Sequence, residues 1–184
     1  MKTRFSFKNH IAHTFFIYIA AIAVSIFVCT YSINLKTRPK DYERFSIFSE
    51  VEFTDEGALK DTLLNEVIPE DLKIDLYYMD KNDNSFNTYF SAYGRNSDIC
   101  LLSKDTLDRF ETIYFVNLKG TKWDKEDNYK YGDISVGIKY PVNNYFKYES
   151  GDYYLLVMSD SVHLDEITNG KTNQVKRVLD YLIK

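Results

Sequence analysis

The chain has 184 residues, with 23 basic and 27 acidic side chains and a formal net charge of −4. All 27 acids but only 20 of the bases fall in residues 36–184, so that region carries −7, which excludes nucleic acid and anionic lipid surfaces as its expected partners. Its one cysteine, Cys100, leaves no pair for an internal disulfide.

Residues 9–35 contain no Asp, Glu, Lys or Arg. Their apolar body, 11–35, exceeds the roughly 20 residues a helix needs to cross a hydrocarbon core. Backbone groups in lipid must be satisfied internally, so a helix is the expected form. A cleaved signal peptide has a shorter core and a small-x-small cleavage site, which Val28-Cys29-Thr30-Tyr31 lacks. A lipoprotein cysteine follows a small residue, whereas Ile26, Phe27 and Val28 precede Cys29. The expected organisation is a cytoplasmic tail at 1–10, a transmembrane signal-anchor at 11–35, a juxtamembrane linker at 36–44 and one domain at 45–184. Lys2, Arg4 and Lys8 balance Lys36, Arg38 and Lys40 across the span. The short tail with its free amino terminus breaks the tie. It places the chain in the cell membrane as a single-pass protein with an extracytoplasmic domain. The abundance of Lys, Asn, Asp and Tyr suggests a bacterial source.

In residues 45–53, Phe45, Ile47, Val51 and Phe53 share one parity and Ser46, Glu50 and Glu52 the other, predicting a half-buried strand. Thr54 stands as a capping hydroxyl before a helix striped with Leu59, Leu63, Leu64 and Val67, which Pro69 ends. A second strand is predicted over 72–79 and a helix over 85–93, stopped by Gly94. Residues 98–103 carry four consecutive apolar side chains, as in a central strand covered on both faces. A helix over 104–110, a strand over 112–118 and a surface excursion over 119–132 follow. Over 133–140, Ile134, Val136, Ile138 and Tyr140 are expected to share one face. A continuous apolar strand over 153–158 precedes a closing helix whose Val175, Val178, Leu179, Leu182 and Ile183 hold helical spacing. This alternation predicts an α/β fold with a mixed, largely parallel sheet flanked by helices.

Residue constellations that carry chemistry are sparse. Asp80, Asn82 and Asn84 match the start of a calcium loop, but Ser85 and Ser91 stand where Gly and a bidentate Glu are needed. An Asx-rich turn is the plainer reading. Asp160, Ser161, His163 and Asp165 supply triad residue types crowded into one loop, without a nucleophile elbow. His10 and His13 have no further ligands nearby, and Cys100 reads as an inert core thiol. No Walker lysine loop or Gly-x-Gly-x-x-Gly occurs. No enzyme, metal or cofactor is expected. Trp123 and the tyrosines at 129, 131, 140, 145, 148, 153 and 154 crowd the second half. They suit either half-exposed strands or a surface that binds sugars, peptides or proteins.

The run Asn96-Ser-Asp-Ile-Cys-Leu-Leu-Ser-Lys-Asp-Thr-Leu-Asp-Arg-Phe110 resembles the segment of bacterial extracytoplasmic solute-binding proteins of ABC importers in which a strand ends at the ligand cleft and a short helix follows. Residues 45–79 resemble that family's opening strand-helix-strand. Residues 153–159 with 173–183 resemble its returning strand and helix. The likeness covers the first lobe, so it implies a one-lobe, periplasmic-binding-protein-like fold. It departs from the family in lacking the second half of the clamp and in carrying an apparent anchor. It implies a non-catalytic module that binds a small-molecule ligand and serves a transporter permease or senses the ligand; the apolar stretch adds membrane lipid, contacted through the anchor. In open α/β sheets the ligand sits beyond the carboxyl ends of the strands. Thr54, Asp55, Asp80, Ser103 and Lys104 are therefore the candidate ligand-binding residues. The alternative is a structural or interaction protein that binds a neighbouring membrane or envelope protein through its tyrosine-rich face.

Overall fold

A computed structural model describes residues 18–20, 22–25, 43–68, 72–110, 114–141, 143–147, 151–164 and 174–184. The chain divides into two units, Met1–Pro39 and Lys40–Lys184. In the first, residues 18–20 and 22–25 are helical, and Tyr18, Ile19, Ile22 and Val24 are exposed. Among the described residues no helix is long and apolar enough to cross a membrane. The rest of the expected 11–35 span, with His10, His13 and Cys29, lies outside the described residues.

The second unit is a mixed six-stranded sheet with helices on both faces. Its strands are β1 (Arg44–Ser49), β2 (Lys73–Tyr78), β3 (Ile99–Ser103), β4 (Tyr129–Tyr131), β5 (Ile134–Lys139) and β6 (Tyr153–Val157). The helices are α1 (Glu56–Thr62), continued by a wide π turn at Leu63–Val67; α2 (Phe86–Tyr89), continued by another at Phe90–Gly94; α3 (Lys104–Leu107); and α4 (Gln174–Leu182). The strand order is β2-β1-β3-β6-β5-β4. β1 runs parallel to β2 and β3, whereas β3–β6, β6–β5 and β5–β4 are antiparallel. The expectation of a largely parallel sheet is thus corrected. Helical crossovers make parallel neighbours only among the first three strands, and β6, β5 and β4 join the sheet antiparallel.

The strand read as half-buried is β1, and it is covered on both faces. Phe45 and Ile47 enter one apolar layer with Leu59, Leu63, Val178, Leu179 and Leu182. Phe48, on the opposite parity, packs edge-on against Phe86 and Phe90 in the other, at ring separations of 6.0 and 5.3 Å. β1 is central because β2 and β3 occupy both of its edges. β3 is buried at every position, as its apolar run requires. α4 buries Val175, Val178, Leu179 and Leu182 and packs beside the π turn after α1.

Four further expectations change. Asp55, not Thr54, caps α1, its Oδ1 accepting the Ala58 N–H at 2.9 Å; Thr54 instead donates its N–H to the Tyr145 carbonyl. No strand forms at 114–118. Phe115 makes one bridge to Met158, and Val116 donates to Val157 at 2.9 Å, while 111–113 lie outside the described residues. The predicted surface excursion contains β4 and buries Trp123, Asn128 and Tyr129. The face assigned to β5 also breaks. The pairing of β4 with β5 slips by one residue at Tyr129/Lys130, skipping Val136. A bulge of this kind puts two neighbouring side chains on one side. Val136 therefore packs with Tyr129 and Leu156, Ile138 and Tyr140 pack in the other layer, and Ile134 is exposed.

Candidate functional site

The chain turns sharply where β1 ends. Ser49 Oγ donates to the Val51 carbonyl at 2.6 Å and accepts the Val51 N–H at 3.0 Å. Glu50 continues the ladder, its N–H donating to the Leu101 carbonyl at 3.1 Å. Its side chain reaches the end of β3, where Oε1 accepts the Ser103 N–H at 2.7 Å. Glu50 is only 6% exposed, and its Oε2 has no hydrogen-bond partner. A buried polar atom is ordinarily satisfied, so such an orphan in a native protein asks for a partner from outside the chain.

The position of this carboxylate in the topology is specific. From β1 the chain enters α1 on the face of Leu59 and Leu63, and from β3 it enters α3 on the opposite face, with Leu107. Neighbouring strands whose helices depart to opposite faces leave a crevice between their carboxyl ends. The Glu50–Ser103 hydrogen bond spans it. Above lies a cleft of about 210 Å³, with Glu50 and Glu52 from the end of β1, Tyr78, Asp80 and Lys81 from the end of β2, and Lys147 and Tyr153 from the second half.

Most charges around the cleft have partners. Lys147 Nζ donates to Glu52 Oε1 at 2.7 Å. Lys81 Nζ lies 3.4 Å from both Ser103 Oγ and Asp105 Oδ2. Asp80 Oδ1 accepts the Asn82 backbone N–H at 2.8 Å and its side-chain N–H at 3.0 Å, which is the Asx-rich turn the sequence suggests. A larger hollow of about 440 Å³ beside Lys139, Tyr140 and Asp152 is spanned by a 2.9 Å Lys139–Asp152 ion pair. None of the buried orphan oxygens of the described residues lies in its lining. The smaller cleft is the better site.

Of the residues expected to bind ligand, Asp80 lines this cleft. Ser103 lies beneath it, 4% exposed, with its hydroxyl capping α3 through the Thr106 N–H at 3.4 Å. Thr54 and Asp55 are absent from the lining and serve the entry to α1. Lys104 is also absent from it: its ammonium binds Asp108 Oδ2 at 2.7 Å and lies over the Tyr129 ring. The Asp108 hydrogen bond raises the Lys104 pKa, and the reciprocal bond with that of Tyr129 lowers Asp108's. Glu50 and Lys81 were missed. The available signal was Phe48, an apolar residue on the supposed polar parity. With both parities buried, an acid two positions later could not be an ordinary solvent-facing one.

The other nucleophile candidates are engaged elsewhere. Ser161 Oγ donates to Asp98 rather than to His163. His163 Nε2 lies 2.7 Å from the Arg44 carbonyl, to which it can only donate; Asp165 is outside the described residues. Cys100 is fully buried, and burial pushes its thiol pKa far up, with the Asp98 charge adding to it. Of the clustered tyrosines, 129, 140, 153 and 154 are buried, so that face presents less aromatic surface than its sequence suggests. Comparison with protein-family models, with curated proteins and with solved structures finds no match to this chain.

Proposed function

We propose that the chain is a non-catalytic, membrane-anchored extracytoplasmic module of solute-binding type that serves a transporter or senses a small ligand. One observation carries this reading: a buried carboxylate with an unpartnered oxygen lines a cleft at the β1/β3 crevice. The parallel β2-β1-β3 unit, whose strand ends converge on one edge of the sheet, and β6 followed in the chain by α4, support the reading. The serine beside the cleft is buried in a helix cap and the lysines have anionic neighbours, an arrangement that favours binding over turnover.

Thermal unfolding of the full-length chain in mild detergent, screened against a library of small metabolites, tests the binding activity. A ligand that raises the midpoint saturably, and whose effect weakens when Glu50 is replaced, is expected; no stabilising compound would reject the reading. Protease added to intact cells tests the location. It should remove residues 37–184 while the amino-terminal tail stays protected, and survival of the domain until the membrane is permeabilised would reverse the orientation.

A further inference from the structure

Resting on that reading of the cleft, we infer that its ligand is a small organic ammonium ion, anchored by its N–H groups on Glu50 Oε2. The argument begins with charge. Glu52 is neutralised by Lys147, and Asp80 is occupied by both Asn82 donors. Lys81 is shared between Ser103 and Asp105. Glu50 receives a single neutral donor, the Ser103 N–H, on one oxygen and nothing on the other. A carboxylate so poorly solvated gains most from a charged donor, because charge-assisted hydrogen bonds are roughly twice as strong as neutral ones. A neutral hydroxyl would fill the vacant acceptor but leave the charge.

Size and lining narrow the class. At about 30 Å³ per water-sized unit, a 210 Å³ cleft holds a ligand of about seven heavy atoms. Tyr78 and Tyr153 contribute aromatic surface to the lining, which favours a cation over an anion. A divalent metal suits the cleft poorly. Lys81 and Lys147 stand in the lining, and no group of three metal-ligating side chains occurs among the described residues.

The test is an amide-resonance titration of the ¹⁵N-labelled full-length chain in detergent, reading the Ser103 N–H that binds Glu50. Ethanolammonium and methylammonium are the charged probes, glycerol and glucose the neutral ones, acetate the anionic one, and sodium and potassium chloride the controls. The ammonium probes should shift Ser103 saturably where the others do not. Glu50→Gln keeps an oxygen for the Ser103 N–H but turns the other position into a donor, so it should weaken ammonium binding at least 10-fold. Lys81→Gln removes a nearby positive charge and should tighten it several-fold; weaker binding in that variant would mean an anionic ligand and overturn the inference, even if the Glu50 variant fails to fold. Saturation by glycerol or glucose alone would overturn the ammonium assignment yet leave a binding module. An equal response to the salts would mean an adventitious ion only. Silence from every probe, together with a blank metabolite screen, would overturn both.

Discussion

Ser161 donates its hydroxyl proton to Asp98 at 2.5 Å, joining the loop after β6 to the residue just before β3. Asp98 also accepts the Ser46 N–H at 2.7 Å. Two oxygens of one buried carboxylate thus tie together β1, β3 and the loop carrying His163, whose ring lies 5.6 Å from that of Phe45. The serine that a triad would need as nucleophile is a structural donor.

Burial raises the Asp98 pKa, and the hydrogen bonds from Ser161 and Ser46 and the charge of His163 only partly offset it. Its folded value lies above its unfolded one, so the native state holds the proton more tightly. The contribution of Asp98 to stability is greatest on the acid side and falls as pH rises from the unfolded value through the folded one. Asp98→Asn keeps the shape without the charge. The variant should gain on the wild type as pH rises above about 4, the unfolded value, read as the difference in urea midpoints across a pH series. Parallel pH profiles would show that Asp98 does not titrate as burial requires.

Asp75 runs the other way. Burial pulls its carboxyl up, but hydrogen bonds from Arg44 and Lys73, reinforced by their charges, outweigh burial and hold its pKa below the ordinary value of 3.8. Arg44 donates through Nε at 2.8 Å, and Lys73 pairs at 3.1 Å. The stabilisation is present above the unfolded value and disappears as pH falls through the folded one. Arg44→Gln should therefore cost about 1 kcal/mol at neutral pH, the range of a partly exposed pair, and almost nothing in strong acid. A penalty independent of pH would assign the loss to packing of the arginine stem instead.

The sequence reading succeeded where one local pattern decided the outcome. Val175, Val178, Leu179 and Leu182 of α4 and the four apolar residues of β3 are buried as their local patterns dictate, regardless of what surrounds them. It failed where a neighbour decided. Strand direction depends on connections that carry no periodic signal, so the antiparallel entry of β6 was invisible. The bulge at Val136 moves a side chain across the sheet without altering the alternation of residue types. The placing of Asp80 and Ser103 at neighbouring strand ends was legible because strand ends in an α/β sheet converge. Glu50 was not, because its burial follows from β1 having neighbours on both edges.

Gly137 sits in β5, between Tyr129 of β4 and Leu156 of β6. A Cβ placed there would lie 3.0 Å from the Tyr154 Cβ and 3.1 Å from the Tyr129 Cβ. The two rings pack edge to face across it at 5.4 Å. Both contacts are to atoms fixed to strand backbones, so no side-chain rotation relieves them. Overpacking of this kind costs about 1–3 kcal/mol, against roughly 0.4–1 kcal/mol gained from a less flexible unfolded chain. Gly137→Ala should lower stability by about 1–2 kcal/mol in urea unfolding. A stabilised variant would show that β4 can move away from β5.

The last helix should be integral to the fold. Val178, Leu179 and Leu182 are fully buried in the layer that holds Phe45, Ile47, Leu59 and Leu63. α4 is also tied in by polar contacts: Trp123 Nε1 donates to Asp180 Oδ1 at 3.1 Å, and Asn143 Nδ2 donates to the Leu182 carbonyl at 3.0 Å. Burying one aliphatic side chain contributes roughly 1.5–3 kcal/mol, so the three together match much of the roughly 5–15 kcal/mol by which a domain is stable. Leu179→Ala leaves a cavity at the centre of this contact and should cost about 2–5 kcal/mol. Asp180→Asn, which keeps an acceptor for the indole but loses the charge facing Lys122, should cost under about 1 kcal/mol because that pair is exposed. A chain truncated after residue 173 should lose its cooperative urea transition. If it kept that transition at an unchanged midpoint, α4 would be an appendage, and the apolar layer would close without it.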